Sequence, residues 1–436
     1  MCVVQTAGYT SNTDGGGAFL ADHLFRYPDA INGKFTLSLG NSDAISCAFG
    51  PSSMQQVVAA MCAILQRLGE GRANVLAEEG GRRISVTFLE APGEARAQPA
   101  GAGEDWIRLV CRSIPLIPIW TDQGVVHVRL SCRTGRDDGA GPAGGMDFAP
   151  GIGAVPLPNA ARYRRDMALA SPLLCQLAGA DGAASSGGSL RTLWRPVVSR
   201  GSGEILYYQS LSEGDADGPD PHRAREGLAA IERIGFGDLL DEIAVNAAIA
   251  ELDAEPQLVL SAAISSVGVV RSWWWQQLAA RLERRPDLAV RLILEVSEGA
   301  AMVKQAELVG FCNEVRRLGC TIAIAAFGAG FASVRQLVTI APDIVKIDSG
   351  FIRRSTTSPR DAAILARLAQ LAAAVGATVV ADGIDTGAQA DLAAELGLDW
   401  QQGHFWGAAS ACRPWRGRSD PRAGGATAMR LAPLPG

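Results

Sequence analysis

The chain has 436 residues, 48% of them hydrophobic and 19% charged, which excludes a disordered polyelectrolyte and leaves room for two or three domains. Its formal net charge is −5, from 40 basic and 45 acidic side chains, so no broad basic field exists to bind nucleic acid through phosphates. The first residues lack the positive and apolar regions of a secretory signal, and no run of about 18 uninterrupted apolar residues occurs, so a cytoplasmic protein without a transmembrane segment is expected.

Residues 1–17 are polar and Gly-rich and read as a disordered tail. An α/β domain is expected over 18–133. FTLSLGN (35–41) and AISCAF (44–49) are strand-like, and MQQVVAAMCAILQRL (54–68) repeats apolar residues at helical spacing, at Val57, Val58, Met61, Leu65 and Leu68. ANVLAEEGGRRISVTFL (73–89) reads as a hairpin turning at Gly80-Gly81. A helix around Trp106–Ile114 and a strand over 125–132 follow.

Residues 134–189 read as a Gly/Pro-rich linker carrying a short amphipathic helix over 161–170, which Pro172 should end or kink. Arg164-Arg165 on that helix read as a solvated face, and Leu173-Leu174 as a place to dock on a neighbour or a second copy. The nine cysteines form no C-x-x-C pair and the four histidines show no ligand spacing, so reduced thiols are expected and neither disulfides nor zinc.

A repeated unit fills the last domain, 190–411: a short apolar run, a polar residue at its end, then a helical stretch. The runs are VLSAAI (259–264), RLILEV (291–296), TIAIAAF (321–327), DIVKID (343–348) and TVVADGI (378–384). Buried strands alternating with helices predict a parallel sheet closed into a TIM-like β/α barrel, whose strand C-termini carry the site. Glu295, Lys346, Asp348 and Asp382 occupy such ends, whereas one run ends in Ala325-Ala326. Mutual pairing of these residues in the barrel mouth is the bland alternative to a functional role. Trp273, Trp274 and Trp275 sweep about 200° of a helix, so at least one is expected to face away from the core, either toward a partner or over the barrel's outer layer. Residues 412–436 read as a second disordered tail.

LEVSEG (294–299), FGAGF (327–331), DIVKIDSGFI (343–352), ADGIDT (381–386) and QGHFWG (402–407) follow one another at the spacing of the EAL-domain family, which this segment resembles. That resemblance implies a β/α barrel of bacterial signalling proteins that hydrolyses cyclic di-GMP with two Mg²⁺ or Mn²⁺ ions. Residue by residue the chain departs from the pattern. The signature E-A-L-L-R stands here as Gln209-Ser210-Leu211-Ser212-Glu213, so the metal-binding glutamate is an amide and the phosphate-contacting arginine an acid. The metal-binding asparagine aligns with Ala263 and the two metal-binding aspartates with Ala325 and Ala326. Glu295, Glu298, Lys346, a shortened acid at Asp382, and Gln402 are retained.

Hard cations need ionised oxygen ligands, and of the implied set only Glu295 keeps its carboxylate. No cofactor is therefore expected, and Mg²⁺ or Mn²⁺ only if residual phosphodiesterase activity survives at Glu295 and Gln209. Residues 35–133 resemble a GGDEF domain, with Arg82-Arg83 in place of its aspartate–glutamate pair, although an unrelated α/β domain could carry the same Gly-Gly turn. Three functions remain open. The chain is an inactive signalling module working through a protein partner, a second copy included. Alternatively it is a receptor that binds cyclic di-GMP weakly without hydrolysing it, or a weak phosphodiesterase.

Overall fold

The computed structural model describes residues 33–69, 72–78, 80–88, 102–134, 147–148, 159–178, 190–213, 221–265, 273–297, 305–329 and 334–416. They fall into two compact units, one within 1–189 and 215–234, the other within 190–214 and 235–436. The expected tails over 1–17 and 417–436 lie outside the described residues.

In the first unit, β1 (Gly33–Leu39) leads into α1 (Ser42–Leu68), then β2 (Ala73–Ala77), β3 (Arg83–Phe88) and α2 (Ala102–Ser113). A small hairpin, β4 (Ile119–Thr121) with β5 (Gly124–Val126), precedes β6 (Leu130–Thr134) and β7 (Asp147–Phe148). The antiparallel sheet has the order β2-β3-β1-β6-β7, so its main elements trace the β-α-β-β-α-β path of ferredoxin-like folds. Gly80 and Gly81 turn the β2–β3 hairpin with φ of 87° and 65°, values that favour glycine. At its tip Arg82 reaches Asp43 at 2.7 Å and Arg83 reaches Glu78 at 3.5 Å.

Three sequence expectations fail here for local reasons. AISCAF (44–49) is helical: α1 begins at Ser42, kinks at Gly50 (φ 88°) before Pro51, and buries Ile45, Ala48 and Phe49 along with the later face. By length and composition alone α1 could cross a membrane; here its apolar face packs in the core of the unit. The strand expected over 125–132 is interrupted at His127–Arg129, where buried His127 holds Pro115 O at 2.9 Å and Ser171 Oγ at 2.9 Å. The segment expected to be linker contributes β7, which pairs with β6, and α3 (Ala160–Ala178).

α3 continues past Pro172 and does not end there. The proline frees the carbonyl of Ala168, but Ala168 is on the exposed face, and packing on either side holds the helix. Buried Leu173 and Leu174 lie on its inner face, and α4 (Pro221–Arg233) approaches so closely that a Cβ at Gly227 would sit 2.7 Å from Leu173 Cδ1. Buried Asp166 takes a two-pronged ion pair from Arg233 at 2.9 and 2.7 Å. Leu173-Leu174 thus dock within their own unit, while Arg164 and Arg165 are exposed.

The second unit is a closed eight-stranded barrel. β8 (Arg191–Ser199) and β9 (Ile205–Glu213) form a hairpin; α5 (Gly237–Ala254), β10 (Leu260–Ile264), α6 (Trp273–Arg284), α7 (Pro286–Ala289) and β11 (Leu292–Ser297) follow. Then come α8 (Gln305–Arg317), β12 (Thr321–Phe327), α9 (Val334–Ile340), β13 (Ile344–Ile347), α10 (Ser349–Ser355), α11 (Pro359–Ala374), β14 (Thr378–Asp382), α12 (Gly387–Glu395) and β15 (Trp400–Gln402). The order around the barrel is β10-β11-β12-β13-β14-β15-β8-β9. β8 runs antiparallel to both neighbours, β9 and β15, while every other pairing is parallel.

Helices meet the outer faces of the strands. Trp274 and Trp275 are 5% and 0% exposed, with Trp275 packed on Phe311 at 4.7 Å, so these two cover the barrel; the Trp273 side chain lies outside the described residues. The second tail was expected to start at 412, yet Trp415 packs edge-on against Trp194 at 5.3 Å and tilted against Tyr208 at 5.0 Å, and Arg413 pairs with Glu251. Aromatic area of that size is drawn onto the barrel wall despite the polar sequence around it.

Candidate functional site

Side chains alternate along a strand, so every second residue enters the barrel. The lower interior is apolar: Val197, Tyr207, Ile293, Ala323, Ile344 and Val380 pack together. Two residues further toward the mouth the same strands present Arg195, Gln209, Glu295, Ala325, Lys346 and Asp382, joined by Ser261 and Gln402. One apolar layer therefore underlies one polar layer.

Glu295 is the centre of that layer and is 1% exposed. Its Oε1 accepts the Ser261 hydroxyl at 2.6 Å. Its Oε2 accepts the Gln209 amide at 2.7 Å and the Lys346 ammonium at 3.1 Å. Lys346 is fully buried and lies 3.9 Å from Asp382, whose side chain is 31% exposed. Charge-assisted donors on both oxygens are what a buried carboxylate requires. The Tyr207 hydroxyl is buried beside Glu295, and burial, then Glu295 and Asp382, push its pKa well above the ordinary phenol value. Gln402 is fully buried, donates to Arg195 O at 3.5 Å, and leaves its Oε1 without a partner.

The other expected positions have different fates. Asp348 caps α10, accepting the Gly350 N–H at 2.8 Å. Glu213 ends β9 half-buried, directly opposite Arg191 in the β8–β9 register, an opposite-charge cross-strand placement. Ala263 is exposed at the mouth. Ala325 and Ala326 sit in an irregularity of the β12–β13 register between Ile324 and Phe327, and Ala326 has φ 55°, a left-handed conformation that costs a non-glycine residue about 1–2 kcal/mol. Bulges of this kind re-aim side chains beside sites. Gly403 is needed for closeness: a Cβ there would meet Ile384 O at 2.0 Å. Glu298 lies outside the described residues.

Ser261, Tyr207 and Arg195 were not singled out in the sequence. Each lies two residues from a chosen position on the same strand, or opposite one across a pair, and that period-2 signal was available.

The two divalent cations implied by the resemblance do not fit these residues. Both Glu295 oxygens are occupied by protons of Ser261, Gln209 and Lys346, and the Gln209 group facing Glu295 is its donor, not its carbonyl. Ala263, Ala325 and Ala326 offer no side-chain ligand atom. Among the described residues no three of His, Cys, Asp and Glu converge as a metal-holding group.

A family profile described as "EAL domain" matches residues 182–409. The cyclic di-GMP phosphodiesterase PdeF of Escherichia coli K12 is 36% identical over 121 residues, which are 27% of this chain and 16% of that protein. Among solved structures, the PaMucR phosphodiesterase in its c-di-GMP complex is similar at 24% identity and a TM-score of 0.44, over 50% of this chain and 91% of that one. The FimX EAL domain from Pseudomonas aeruginosa bound to c-di-GMP is similar at 20% identity and a TM-score of 0.45, over 51% of this chain and 91% of that one. The chain thus spans less than a fifth of the length of the curated relative.

Proposed function

Because the chain belongs to the EAL-domain family, we propose that its barrel is a catalytically inactive signalling module in a cyclic di-GMP-related pathway, acting by recognition and not by hydrolysis. One observation carries this. The retained carboxylate, Glu295, is closed by Ser261, Gln209 and Lys346, while Ala263, Ala325 and Ala326 stand where ligands belong. Without bound divalent ions no water is activated and no phosphate charge is neutralised. Fold persists while the chemistry is removed, the pattern of a scaffold put to another use. Contacts with a protein partner, a second copy included, are the first use. The first unit is proposed as a degenerate GGDEF-like domain, supported by its β-α-β-β-α-β path and by Arg82 and Arg83 at the hairpin tip.

A second reading, a receptor that binds cyclic di-GMP without hydrolysing it, is favoured by Arg195, a cation in the polar layer whose buried Nε has no hydrogen-bond partner among the described residues. Weak phosphodiesterase activity at Glu295 and Gln209 is disfavoured, because those two groups bond to each other.

The test is incubation of the purified full chain with cyclic di-GMP and Mn²⁺ or Mg²⁺. Linear dinucleotide should not rise above the protein-free blank. Metal-dependent product accumulating over many turnovers would overturn the proposal.

A further inference from the structure

We propose that the outer edge of β2 pairs, antiparallel, with the same strand of a second copy of this chain, joining two first-unit sheets into one. The inference deepens the reading that the chain works through contact with a second copy, and it places that contact in the first unit.

β2 stands at the end of the order β2-β3-β1-β6-β7, so one side of its backbone has no neighbouring strand among the described residues. The register shows which groups are left over. Leu39 N–H donates to Arg82 O, and Glu78 N–H donates to Arg83 O. In an antiparallel pair, hydrogen-bonded positions alternate with unbonded ones. Ile84, Val86 and Phe88 therefore bond to β1, and Arg83, Ser85 and Thr87 bond to β2. On β2 these bonds use Asn74, Leu76 and Glu78. The N–H and C=O groups of Ala73, Val75 and Ala77 point away from the sheet.

Natural sheets guard such an edge with lysine, proline or a bulge. β2, Ala73-Asn74-Val75-Leu76-Ala77, has no charged residue, no proline and no break in its register with β3. Val75 is buried, whereas Leu76 is 60% exposed, a large apolar side chain at an open edge.

Charges at the strand ends select the partner. Half-buried Arg72 precedes β2 and exposed Glu78 follows it. A two-fold axis through Val75 sets Ala73 against Ala77, Asn74 against Leu76, and Arg72 against Glu78 of the second copy. Every outward residue then meets an outward residue, which gives about six backbone hydrogen bonds. Opposite charges face each other at both ends of the ladder. A slip by two residues keeps the ladder in phase but loses both charge matches, and a parallel arrangement sets like charges together. The two Leu76 side chains become diagonal neighbours about 7–8 Å apart, within reach of each other. Glu78 already faces Arg83 at 3.5 Å in its own copy, so the second arginine extends an existing pair. One short strand makes a small interface, which belongs to the weak and transient class.

The experiment is sedimentation velocity of the full chain from about 1 to 200 μM. The wild-type chain should pass from monomer to dimer within that range. Ala77→Pro removes an outward N–H and leaves the β2–β3 bonds in place, so it should weaken the dimer by about tenfold or more. Arg72→Glu and Glu78→Arg should each weaken it by about tenfold, because each sets like charges together at both ends. An equimolar mixture of those two variants should regain the dimer, since one chain then carries only acids at the strand ends and the other only bases. Circular dichroism checks that each variant is folded, and the mixture decides the matter if the proline variant is not. A wild-type chain that stays monomeric, a dimer unweakened in the folded variants, or a mixture no tighter than its components would each overturn the proposal. None of these outcomes depends on whether the barrel hydrolyses cyclic di-GMP, which the hydrolysis assay decides separately.

Discussion

Replacing Lys346 by methionine removes the counter-ion of Glu295 while keeping most of the volume. The two charged atoms are 3.1 Å apart and both side chains are fully buried. At that distance and an effective dielectric constant near 20 the attraction is roughly 5 kcal/mol, on the scale of the desolvation it must offset. Lys346→Met leaves the carboxylate with only the neutral donors Ser261 and Gln209. Breaking a buried pair from one side costs about 3–5 kcal/mol. At about 2–4 °C per kcal/mol for a domain of this size, the barrel's thermal midpoint should fall by about 6–20 °C. Glu295→Gln should also destabilise, since Lys346 then keeps only Asp382 at 3.9 Å. The double variant Glu295→Gln with Lys346→Met has no buried charge to strand and should lie within about 2 kcal/mol of wild type. Urea unfolding of all four proteins, followed by tryptophan fluorescence, closes the cycle. A loss under about 1 kcal/mol in Lys346→Met, or a double variant equal to the sum of the singles, would refute the reasoning.

Gln209→Glu restores the family's acid but sets a second carboxylate against Glu295, where the amide now donates at 2.7 Å; chemical denaturation should show a loss of about 2–4 kcal/mol that millimolar Mn²⁺ does not repair. Ala326→Gly relieves a φ of 55° and should raise stability in a thermal melt by about 0.5–1 kcal/mol, the strain of a left-handed residue less the added entropy of glycine. Burial lowers the His127 pKa from 6.5 to about 4. Between those values the unfolded chain binds the proton and the folded unit does not, so stability is full above pH 6.5 and is lost as pH falls toward 4. Amide hydrogen exchange in the first unit should report about 2 kcal/mol less stability at pH 5 than at pH 7, and His127→Gln should flatten that slope.

The barrel was legible because its strands are buried on both faces and appear as continuous apolar runs; TIAIAAF matches β12 residue for residue. Glu295, Lys346 and Asp382 were legible because a polar residue at the end of such a run has few structural uses, whereas Gln402 was legible only through the family motif. The partners of Glu295 were not. Ser261 and Gln209 meet it only through the closure of β9, β10 and β11, which fixes neighbours 34 and 86 residues apart in sequence. Arg195 was hidden for the same reason: its strand runs antiparallel, so its inward register follows from the hairpin and from nothing in its own residue type. AISCAF failed because a short apolar run fits strand or buried helix equally until its flanks are known. Pro172 does not end α3 because the docking of α3 on α4, a tertiary term, outweighs the loss of one helical bond.

The claim that the closed donor set around Glu295 has displaced the metals is tested most directly by titrating the full chain with Mn²⁺ and counting free ions by electron paramagnetic resonance. A variant carrying Gln209→Glu, Ala263→Asn, Ala325→Asp and Ala326→Asp serves as the comparison. The wild-type chain should leave Mn²⁺ free across the micromolar range, while the fourfold variant sequesters it. Sequestration by the wild-type chain at one or two ions per molecule, lost on Glu295→Gln, would contradict the account.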